Sequence, residues 1–391
     1  MIPRRSLLLT ALLTSLAAPA LGQAALAIGF LGRTPPSHRR ASPLAEPAAE
    51  EGLAGARLAI TEANGTGRFA GQVYRLLPLV LEPGADPAEA ARRLAAAGAG
   101  FLVADLPAEM LVAAASAFPG PVLNAGAPDD ALRNALCRRN LLHTAPSRAM
   151  LADALAQYLA WKRWTRWFLV PGPEPGDTLL AEALRRAAER FGASIVAERP
   201  WRFRFGSGRA DTGHVTLQSE IPAFTRGVRD HDVLLVADEA DAFGEWLEGR
   251  TERPRPVAGT HGIIAAAWSP VTEAWGGVQL QNRFRAATGR RMTALDYCCW
   301  LAVRAVAEAA LRGGSMAPDA VAAFMRGPDF LLAGFKGQGM SFRDWDGQLR
   351  QPILICGPRL LISASPQPGF LHRVTPLDTL GQDRAESGCR T

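Results

Sequence analysis

The residues that most often carry chemistry are dispersed in this chain. Its six histidines are widely separated, and no two of them have the spacing of metal ligands. They are His38, His143, His214, His231, His261 and His372. No serine-nucleophile, zinc-protease or phosphate-loop motif occurs, and Gly206-Ser207-Gly208 is only a fragment of a dinucleotide loop. The acids Glu239 and Asp241 fall at the start of a helix predicted over 240–248, where the helix dipole favours negative charge. The sequence therefore favours a binding protein over an enzyme and predicts no cofactor.

The five cysteines include no C-x-x-C pair, which argues against a zinc ribbon or a redox dithiol. Cys298 and Cys299 lie in a strongly apolar stretch with helical periodicity, so we expect buried free thiols there. Cys137, Cys356 and Cys389 remain open as disulfide partners. In an oxidising compartment a bridge from Cys137 or Cys389 would tie down the tail of the chain. The odd count leaves at least one thiol unpaired within the chain.

The first 22 residues have the pattern of a secretory signal. Arg4 and Arg5 precede an apolar stretch over 7–16, and Ala20-Leu21-Gly22 supplies small residues before a cleavage point at Gln23. The apolar stretch is shorter than the ~20 residues that a membrane-spanning helix needs. We therefore expect residues 1–22 to be removed on export to the periplasm. The arginine pair leaves export by either the general or the twin-arginine route open.

The basic residues give no nucleic-acid footprint. The formal net charge is +6, and it falls to near +4 once Arg4 and Arg5 leave with the signal. Nearly all the basic residues are arginines, and they are scattered with no run of five or six, whereas nucleic-acid binding calls for a clustered stripe. Trp201, Phe203 and Phe205 alternate with arginines, and this period of two predicts a half-buried strand or hairpin. We expect no nucleic-acid partner.

Strand and helix patterns alternate along the chain with short connections. A buried strand over 24–30 precedes a helix over 48–64 and a strand over 74–81, and Asp86-Pro87 begins the next helix. Further strands are predicted over 101–103, 121–123, 141–143, 167–170, 194–197 and 233–236. Further helices are predicted over 107–118, after Ser147, and over 179–191. This alternation predicts an α/β fold with parallel sheets, and the chain length predicts two domains.

The C-terminal part has a different character. Thr293 to Arg312 reads as a long, largely apolar helix that begins with Thr293-x-x-Asp296, the pattern of a capping box. The segment 331–362 is glycine-rich and strand-like. The last ~25 residues are polar, and we expect them to form an extended tail packed on the surface.

The loops that follow the predicted strands are the candidate binding surface. In open α/β sheets, ligands bind outside the carboxyl ends of the strands, and two lobes that close over such loops would bury a ligand. The candidates are Asp105, Asn124 and Gly126 on the first lobe, Glu174, Asp177, Glu239 and His261 on the second, and Arg39 at the mouth of the cleft. The alternative for each is a capping or solvent-facing role.

Several strings, in their order and spacing, resemble one family. Residues 51–64 resemble its first helix, 86–90 the start of its second helix, 121–127 its next strand and loop, 143–147 its crossover into lobe two, and 339–347 its last glycine-rich region. Over nearly all of the chain after residue 22, the sequence is similar to the type I periplasmic binding proteins of the leucine/isoleucine/valine kind, which serve ABC transporters.

The resemblance implies two lobes, each a mostly parallel sheet flanked by helices, joined by a hinge. Lobe one would comprise 23–144 plus 264–336, lobe two 145–263 plus 337–365, and a tail 366–391. The implied partners are a small ligand and an ABC transporter membrane permease, and the implied state is a monomer.

A narrower resemblance rests on longer strings at 236–244, 253–260, 292–297, 335–337, 345–352, 368–372, 377–384 and 389–390. They resemble a subfamily that accompanies PQQ-dependent alcohol dehydrogenases, some linked to lanthanide use. Asp105-Leu106-Pro107 stands where the amino-acid binders have a Ser/Thr-bearing loop, Asn124 replaces their Ser, and the loop 171–177 lacks their aromatic residue. Amino-acid specificity is therefore not carried over.

Two other roles remain as hypotheses. The polar tail motivates a periplasmic accessory or sensory protein that contacts a dehydrogenase or a membrane partner. Carriage of a metal ion such as a lanthanide would need many oxygen ligands. The net positive charge and the lack of a calcium-loop spacing argue against metal carriage.

Overall fold

The computed structural model describes residues 24–33, 48–202 and 220–389. Its strands form a five-stranded sheet, a seven-stranded sheet and a two-stranded hairpin. We call the five-stranded sheet with its helices lobe one, and the seven-stranded sheet with its helices lobe two. The predicted α/β class with parallel sheets flanked by helices is confirmed. Arg39, Phe203 and Phe205 lie outside the described residues.

Lobe one has a fully parallel sheet in the order β2-β1-β3-β4-β5. Its strands are β1 (Ala24–Arg33), β2 (Gln72–Leu81), β3 (Ala99–Ala104), β4 (Val122–Asn124) and β5 (Leu141–His143). The helices of this part are α1 (Leu53–Gly67), α2 (Pro87–Ala96) and α3 (Ala108–Ala117). Alternate residues of one strand serve opposite faces: Phe101 and Val103 join the core under α1, while Leu102 and Ala104 join the core under α2 and α3.

Lobe two has the strand order β14-β13-β10-β9-β8-β6-β7. The strands from β10 to β7 are parallel, and β13 runs antiparallel to both of its neighbours. They are β6 (Arg166–Pro171), β7 (Ser194–Glu198), β8 (Val233–Ala237), β9 (Val257–Gly259), β10 (Ile263–Ala266), β13 (Ile353–Cys356) and β14 (Leu361–Ser365). Helices α4 (Arg148–Trp161) and α5 (Pro175–Arg190) cover one face.

Three more helices follow β10 in the chain: α6 (Gly277–Thr288), α7 (Ala294–Gly313) and α8 (Pro318–Arg326). Strands β11 (Ser341–Phe342) and β12 (Leu349–Arg350) form the hairpin. Helix α7 is buried along most of its length and packs against α1. The two helices approach so closely that a methyl group on Gly55 would lie 1.9 Å from the carbonyl oxygen of Asp296. None of the described helices is long and apolar enough to cross a membrane.

The predicted helix starts are confirmed where a side chain accepts a hydrogen bond from a backbone N–H group of the first turn. Asp86 accepts from the N–H of Ala88, and Ser147 accepts from that of Met150. Thr293 and Asp296 form the expected capping box of α7. These caps satisfy N–H groups that have no partner inside the helix, which is why the sequence marks the helix starts.

The prediction of a helix over 240–248 is wrong. Only a 3-10 turn forms, over Gly244–Leu247. The carboxylate of Asp238 accepts hydrogen bonds from the N–H groups of Ala242, Phe243 and Gly244, so these donors fold back onto the end of β8. Asp241 has a positive φ of 53°, which a helix does not allow. Glu239 and Asp241 therefore lie in a tight loop, not in a helical first turn.

The tail contacts both lobes. Asp378 lies between Arg343 and Arg350 at 2.9 Å from each, and the N–H of Gly381 donates to Asp153 of α4. A disulfide joins Cys389 to Cys137 of lobe one. Cys298, Cys299 and Cys356 are free and buried, which confirms the prediction for the first two.

Candidate functional site

Two cavities lie where the lobes face each other. The lobe-one cavity has a volume of about 270 Å³ and is bounded by the loops after β3 and β4 and by the start of α7. The lobe-two cavity has about 320 Å³ and lies between α4, α5 and the loops after β8 and β9. Leu151, in the first turn of α4, lines both. The two cavities are therefore neighbours across one side chain, and we call them together the cleft.

Asp105 is the charged residue of the lobe-one cavity. It follows β3 directly, as a parallel strand end predicts, and it packs on Gly126: a methyl group there would lie 2.3 Å from its Oδ1. The pKa of Asp105 is raised to about 6, mainly by burial and also by Glu51 and Asp296, while Arg33 opposes the shift. Within the described chain no group donates a hydrogen bond to this carboxylate, and no base pairs with it at 4 Å or less. Asp105 is thus a partly buried acid that faces a mainly apolar cavity.

Asn124 holds the loop next to Asp105 but does not line either cavity. The side chain is fully buried, and its Oδ1 accepts from the N–H groups of Gly126 (3.2 Å) and Ala127 (2.9 Å). Its amide nitrogen donates to the carbonyl oxygen of Ala127 and contacts Nδ1 of His143 at 3.0 Å. The loop after β4 therefore satisfies its own backbone donors through this one side chain.

The lobe-two cavity has an apolar wall and a polar rim. Leucines from the facing sides of α4 and α5 form the wall together with Ile264. On the rim, Nε2 of His261 lies 3.0 Å from Asp241, and Nδ1 lies 2.9 Å from the hydroxyl of Thr260. The imidazole packs on Gly244, where a methyl group would lie 2.1 Å from Nδ1. The leucines are Leu151, Leu155, Leu180 and Leu184.

Arg148, the first residue of α4, connects the two sides of the cleft. Its guanidinium forms a two-point contact with Glu239 of lobe two, at 2.8 and 2.7 Å, and an ion pair with Asp129 of lobe one at 3.0 Å. Burial opposes its charge, but the two carboxylates hold the pKa of Arg148 above its ordinary value. Since both carboxylates point at the same guanidinium, its donors are committed to the protein.

Asp177 is fully buried, and its carboxylate accepts hydrogen bonds from backbone N–H groups of the protein. One of its oxygens accepts from the N–H of Glu239 at 2.7 Å, and the other accepts from the N–H of Glu174 at 3.1 Å. Burial raises its pKa, and these backbone donors oppose the shift. Asp177 thereby ties the start of α5 to the loop after β8, while Glu174 is exposed and lines neither cavity.

Buried polar side chains join the segments by which the chain passes between the lobes. Gln348 contacts the carbonyl oxygens of His143 and Ala145, and Arg133 donates to Gln348 at 2.9 Å. Gln351 donates to the carbonyl oxygen of Thr144 at 2.8 Å and accepts from Lys336 at 2.7 Å. Burial lowers the pKa of Lys336 to about 7. These contacts hold together the chain segments that connect the two lobes.

Of the predicted site residues, the structure brings Asp105 and Gly126 to the lobe-one cavity and Glu239 and His261 to the lobe-two cavity. Asn124 ends β4, Glu174 caps α5 and Asp177 lies in the first turn of α5. Arg39 is outside the described residues. That any of them contacts a ligand stays a prediction. Sequence reasoning missed Arg148 and Leu151 as site residues, although Ser147 correctly marked the start of their helix at the crossover.

Within the described ranges, no group of three or more His, Cys, Asp or Glu side chains is placed to hold a metal ion. The described cleft offers four carboxylates, a histidine, a threonine hydroxyl and extensive apolar surface. These groups are suited to holding a small molecule by one polar end and an apolar body.

Comparison with known proteins agrees with this architecture. The profile of a family described as periplasmic binding protein matches residues 39–207. No curated protein matches the chain in sequence. Many solved structures share its fold.

Three solved structures illustrate the likeness. A periplasmic binding protein from Burkholderia mallei has a TM-score of 0.64 at 16% identity, over 94% of this chain and 99% of that one. A branched chain amino acid ABC transporter periplasmic ligand-binding protein from Burkholderia xenovorans has a TM-score of 0.70 at 14% identity, over 93% and 99%. A solute binding protein from R. palustris, in complex with benzoate, has a TM-score of 0.62 at 13% identity, over 94% and 100%.

At sequence identities this low, structural similarity establishes the fold and does not identify the ligand. The chain has the two-lobed α/β fold of the type I periplasmic binding proteins.

Proposed function

We propose that this protein is a periplasmic solute-binding protein that captures a small ligand between its lobes and delivers it to an ABC transporter permease. The observation that carries the proposal is the pair of facing cavities that meet at Leu151. The names of the Burkholderia xenovorans and R. palustris proteins, a ligand-binding and a solute-binding protein, support it. So does the family match over 39–207. The expected state is a monomer.

Hinge closure is the mechanism that this geometry favours. The segments between the lobes are braced by Arg133, Gln348 and Gln351, whereas the cavities lie at the loops that follow the strands. A ligand held first on one lobe would draw the other lobe over it and exclude water. The permease would then recognise the closed form.

We propose further that the transported ligand belongs to PQQ-dependent alcohol oxidation. The support is the sequence resemblance of the strings at 236–244, 345–352 and 377–384 to the subfamily that accompanies those dehydrogenases. The ligand would be a substrate, a product or a component of that oxidation system.

A thermal-shift panel on the chain from Gln23 onward tests the binding function. The panel holds amino acids, amines, carboxylates, alcohols, aldehydes, PQQ, and calcium and lanthanide ions. A ligand at 100 times its Kd raises the free energy of unfolding by about 2.7 kcal/mol, so a binder gives a clear rise in Tm.

Two variants locate the binding site. Leu151→Trp fills the junction of the two cavities and should abolish the shift, while Leu179→Trp, at an exposed position of α5, should retain it. A well-folded protein that shifts with no compound in the panel would contradict the solute-binding proposal. A shift that survives Leu151→Trp would place binding outside the cleft.

A second candidate function is that of a partner-binding accessory protein, and one surface favours it. A groove of about 530 Å³ runs between the tail and the β11–β12 hairpin, and the tail exposes Leu371 and Val374 beside it. If this surface binds a PQQ-dependent dehydrogenase, Leu371→Ser with Val374→Ser should abolish that binding and leave ligand-induced shifts intact. If the double variant keeps both dehydrogenase binding and the ligand-induced shifts, the accessory role at this surface is excluded.

A further inference from the structure

The cleft combines two features that restrict the charge of its ligand. Its cavity linings carry four carboxylates, and among the described residues neither lining includes Lys or Arg. Arg33 acts on Asp105 from the end of β1 but lines neither cavity, and Arg148 is paired with two acids. A protein with a formal net charge of +6 thus presents an acidic cleft. The carboxylates are Asp105, Asp238, Glu239 and Asp241.

Several backbone donors at the cleft that could hold an anion are already used. The N–H groups of Gly126 and Ala127 donate to Asn124, and those of Ala149 and Met150 at the start of α4 donate to Asp130 and Ser147. A helix start or a strand-end loop binds a carboxylate through such free N–H groups. Here the protein's own side chains occupy these positions in the loop after β4 and at the start of α4.

The lobe-two loop repeats this arrangement. Asp238 accepts from the N–H groups of Ala242, Phe243 and Gly244, and Asp177 accepts from that of Glu239. An anionic ligand would therefore meet carboxylates and find these backbone donors occupied. Like charge brought into a desolvated site is strongly unfavourable.

Asp105 differs from the other three acids because it has no partner in the described chain. Asp238 is held by backbone donors, Glu239 by Arg148, and Asp241 contacts His261. Closure of the lobes over Asp105 would bury its charge further, and a buried carboxylate stays charged only when it is paired. A neutral ligand leaves it unpaired, whereas an ammonium group supplies the missing partner.

From this geometry we infer that the ligand is an organic cation: a primary amine whose ammonium group pairs with Asp105 and whose apolar body enters the leucine-lined lobe-two cavity. The inference rests on the proposed solute-binding function and specifies its substrate class. Asp105 supplies charge recognition, and Leu151, between the two cavities, contacts the carbon chain of the amine.

Four probes with the same branched body test the charge: 3-methylbutylamine, 3-methylbutanol, 4-methylpentanoate and leucine. Titration calorimetry on the purified protein should give the tightest binding for the amine, at least about tenfold tighter than for the other three, since a charged pair is worth more than one factor of ten. Asp105→Asn should weaken amine binding at least about tenfold. Asp319→Asn, which changes an exposed acid in the first turn of α8, should leave it unchanged.

The other outcomes overturn the inference and separate it from the proposed function. Tighter binding of the acid, of leucine or of the alcohol would show a solute-binding protein of another substrate class. Amine binding that survives Asp105→Asn would remove Asp105 from the site. Binding of Ca²⁺ or La³⁺ that depends on Asp105 would assign the cleft to a metal ion. Failure of all four probes would overturn the amine class, and the wider thermal-shift panel would then decide the function.

Discussion

Asp105 is expected to lower stability at neutral pH, which a residue kept for structure alone would not do. Its pKa is raised from 3.8 to about 6 by burial first, then by Glu51 and Asp296 against Arg33. A carboxyl whose folded pKa is raised favours the fold while it is protonated, below about pH 4. That contribution is lost as the pH rises through 6.

Asp105→Asn keeps the shape and removes this penalty. We expect it to raise the free energy of unfolding on the order of 2 kcal/mol at pH 7.5, and by nothing at pH 3.5. Urea unfolding of wild type and variant at the two pH values measures the difference. Asp319→Asn is the control and should show no such pH dependence. A less stable Asp105→Asn protein at pH 7.5 would mean that the carboxylate has a stabilising partner.

For single residues, the sequence predicts where a side chain lies better than what that side chain does. Asp105 and Gly126 were expected at strand ends, and parallel strands bring such ends to one edge, so their proximity follows from the strand pattern. Asn124 and Asp177 were expected in the same kind of loop, but Asn124 ends β4, Asp177 lies in the first turn of α5, and both side chains accept from backbone N–H groups. Nothing in residue type separates an amide that faces a ligand from one that satisfies its own loop. Arg148 was missed because its two acid partners come from distant segments.

Among the helices, α1 and α7 show how one glycine can decide a packing distance. Gly55 of α1 lies so close to the backbone of α7 that a methyl group would overlap the carbonyl oxygen of Asp296. In an isolated helix, Ala is favoured over Gly by about 1 kcal/mol. Here the overlap dominates, because a backbone carbonyl cannot move aside as a side chain does.

We expect Gly55→Ala to lower the free energy of unfolding by about 2 kcal/mol or more. Gly65→Ala is its matched control in the same helix, at an exposed site with no atom near the added methyl group, and it should raise stability by about 0.5–1 kcal/mol. Thermal unfolding of both variants measures the two effects. Equal stabilisation by both substitutions would show that α1 and α7 are farther apart than the structure has them.

The elements that the sequence predicted well are those with local signals. Helices α2, α4 and α7 begin at side-chain caps within four residues of the first turn, so the sequence alone indicates where they start. The helix predicted over 240–248 failed because the carboxylate of Asp238 takes the donors that would have started it. Strands β9 and β10 are three and four residues long, and their pairing depends on β8 and β13, which lie far away in the sequence.

At the scale of the whole molecule, two lobes follow from chain length and from the alternation of strands and helices, but the path of the tail does not. Cys137, Cys356 and Cys389 were all open as partners from sequence. Cys356 lies fully buried in β13, whereas Gly388 next to Cys389 donates to Asn134 at 2.7 Å, beside Cys137. The pairing is therefore decided by where the tail lies after it has crossed lobe two.

The disulfide Cys137–Cys389 fastens this tail to lobe one after Asp378 and Gly381 have fastened it to Arg343, Arg350 and α4. It closes a loop with a sequence separation of 252 residues. Closing so long a loop restricts the unfolded chain strongly, so we expect Cys389→Ser to lower the free energy of unfolding by about 2–5 kcal/mol. Cys137→Ser should have the same effect, because either change removes the same bond.

Dithiothreitol provides the control for that comparison. It should lower the Tm of the wild-type protein to that of the serine variants, and it should not change the variants themselves, whose remaining buried cysteines are unpaired. If dithiothreitol destabilises Cys389→Ser as well, another disulfide contributes to stability. If all three proteins have the wild-type Tm under oxidising conditions, the ion pairs of Asp378 hold the tail without the covalent bond.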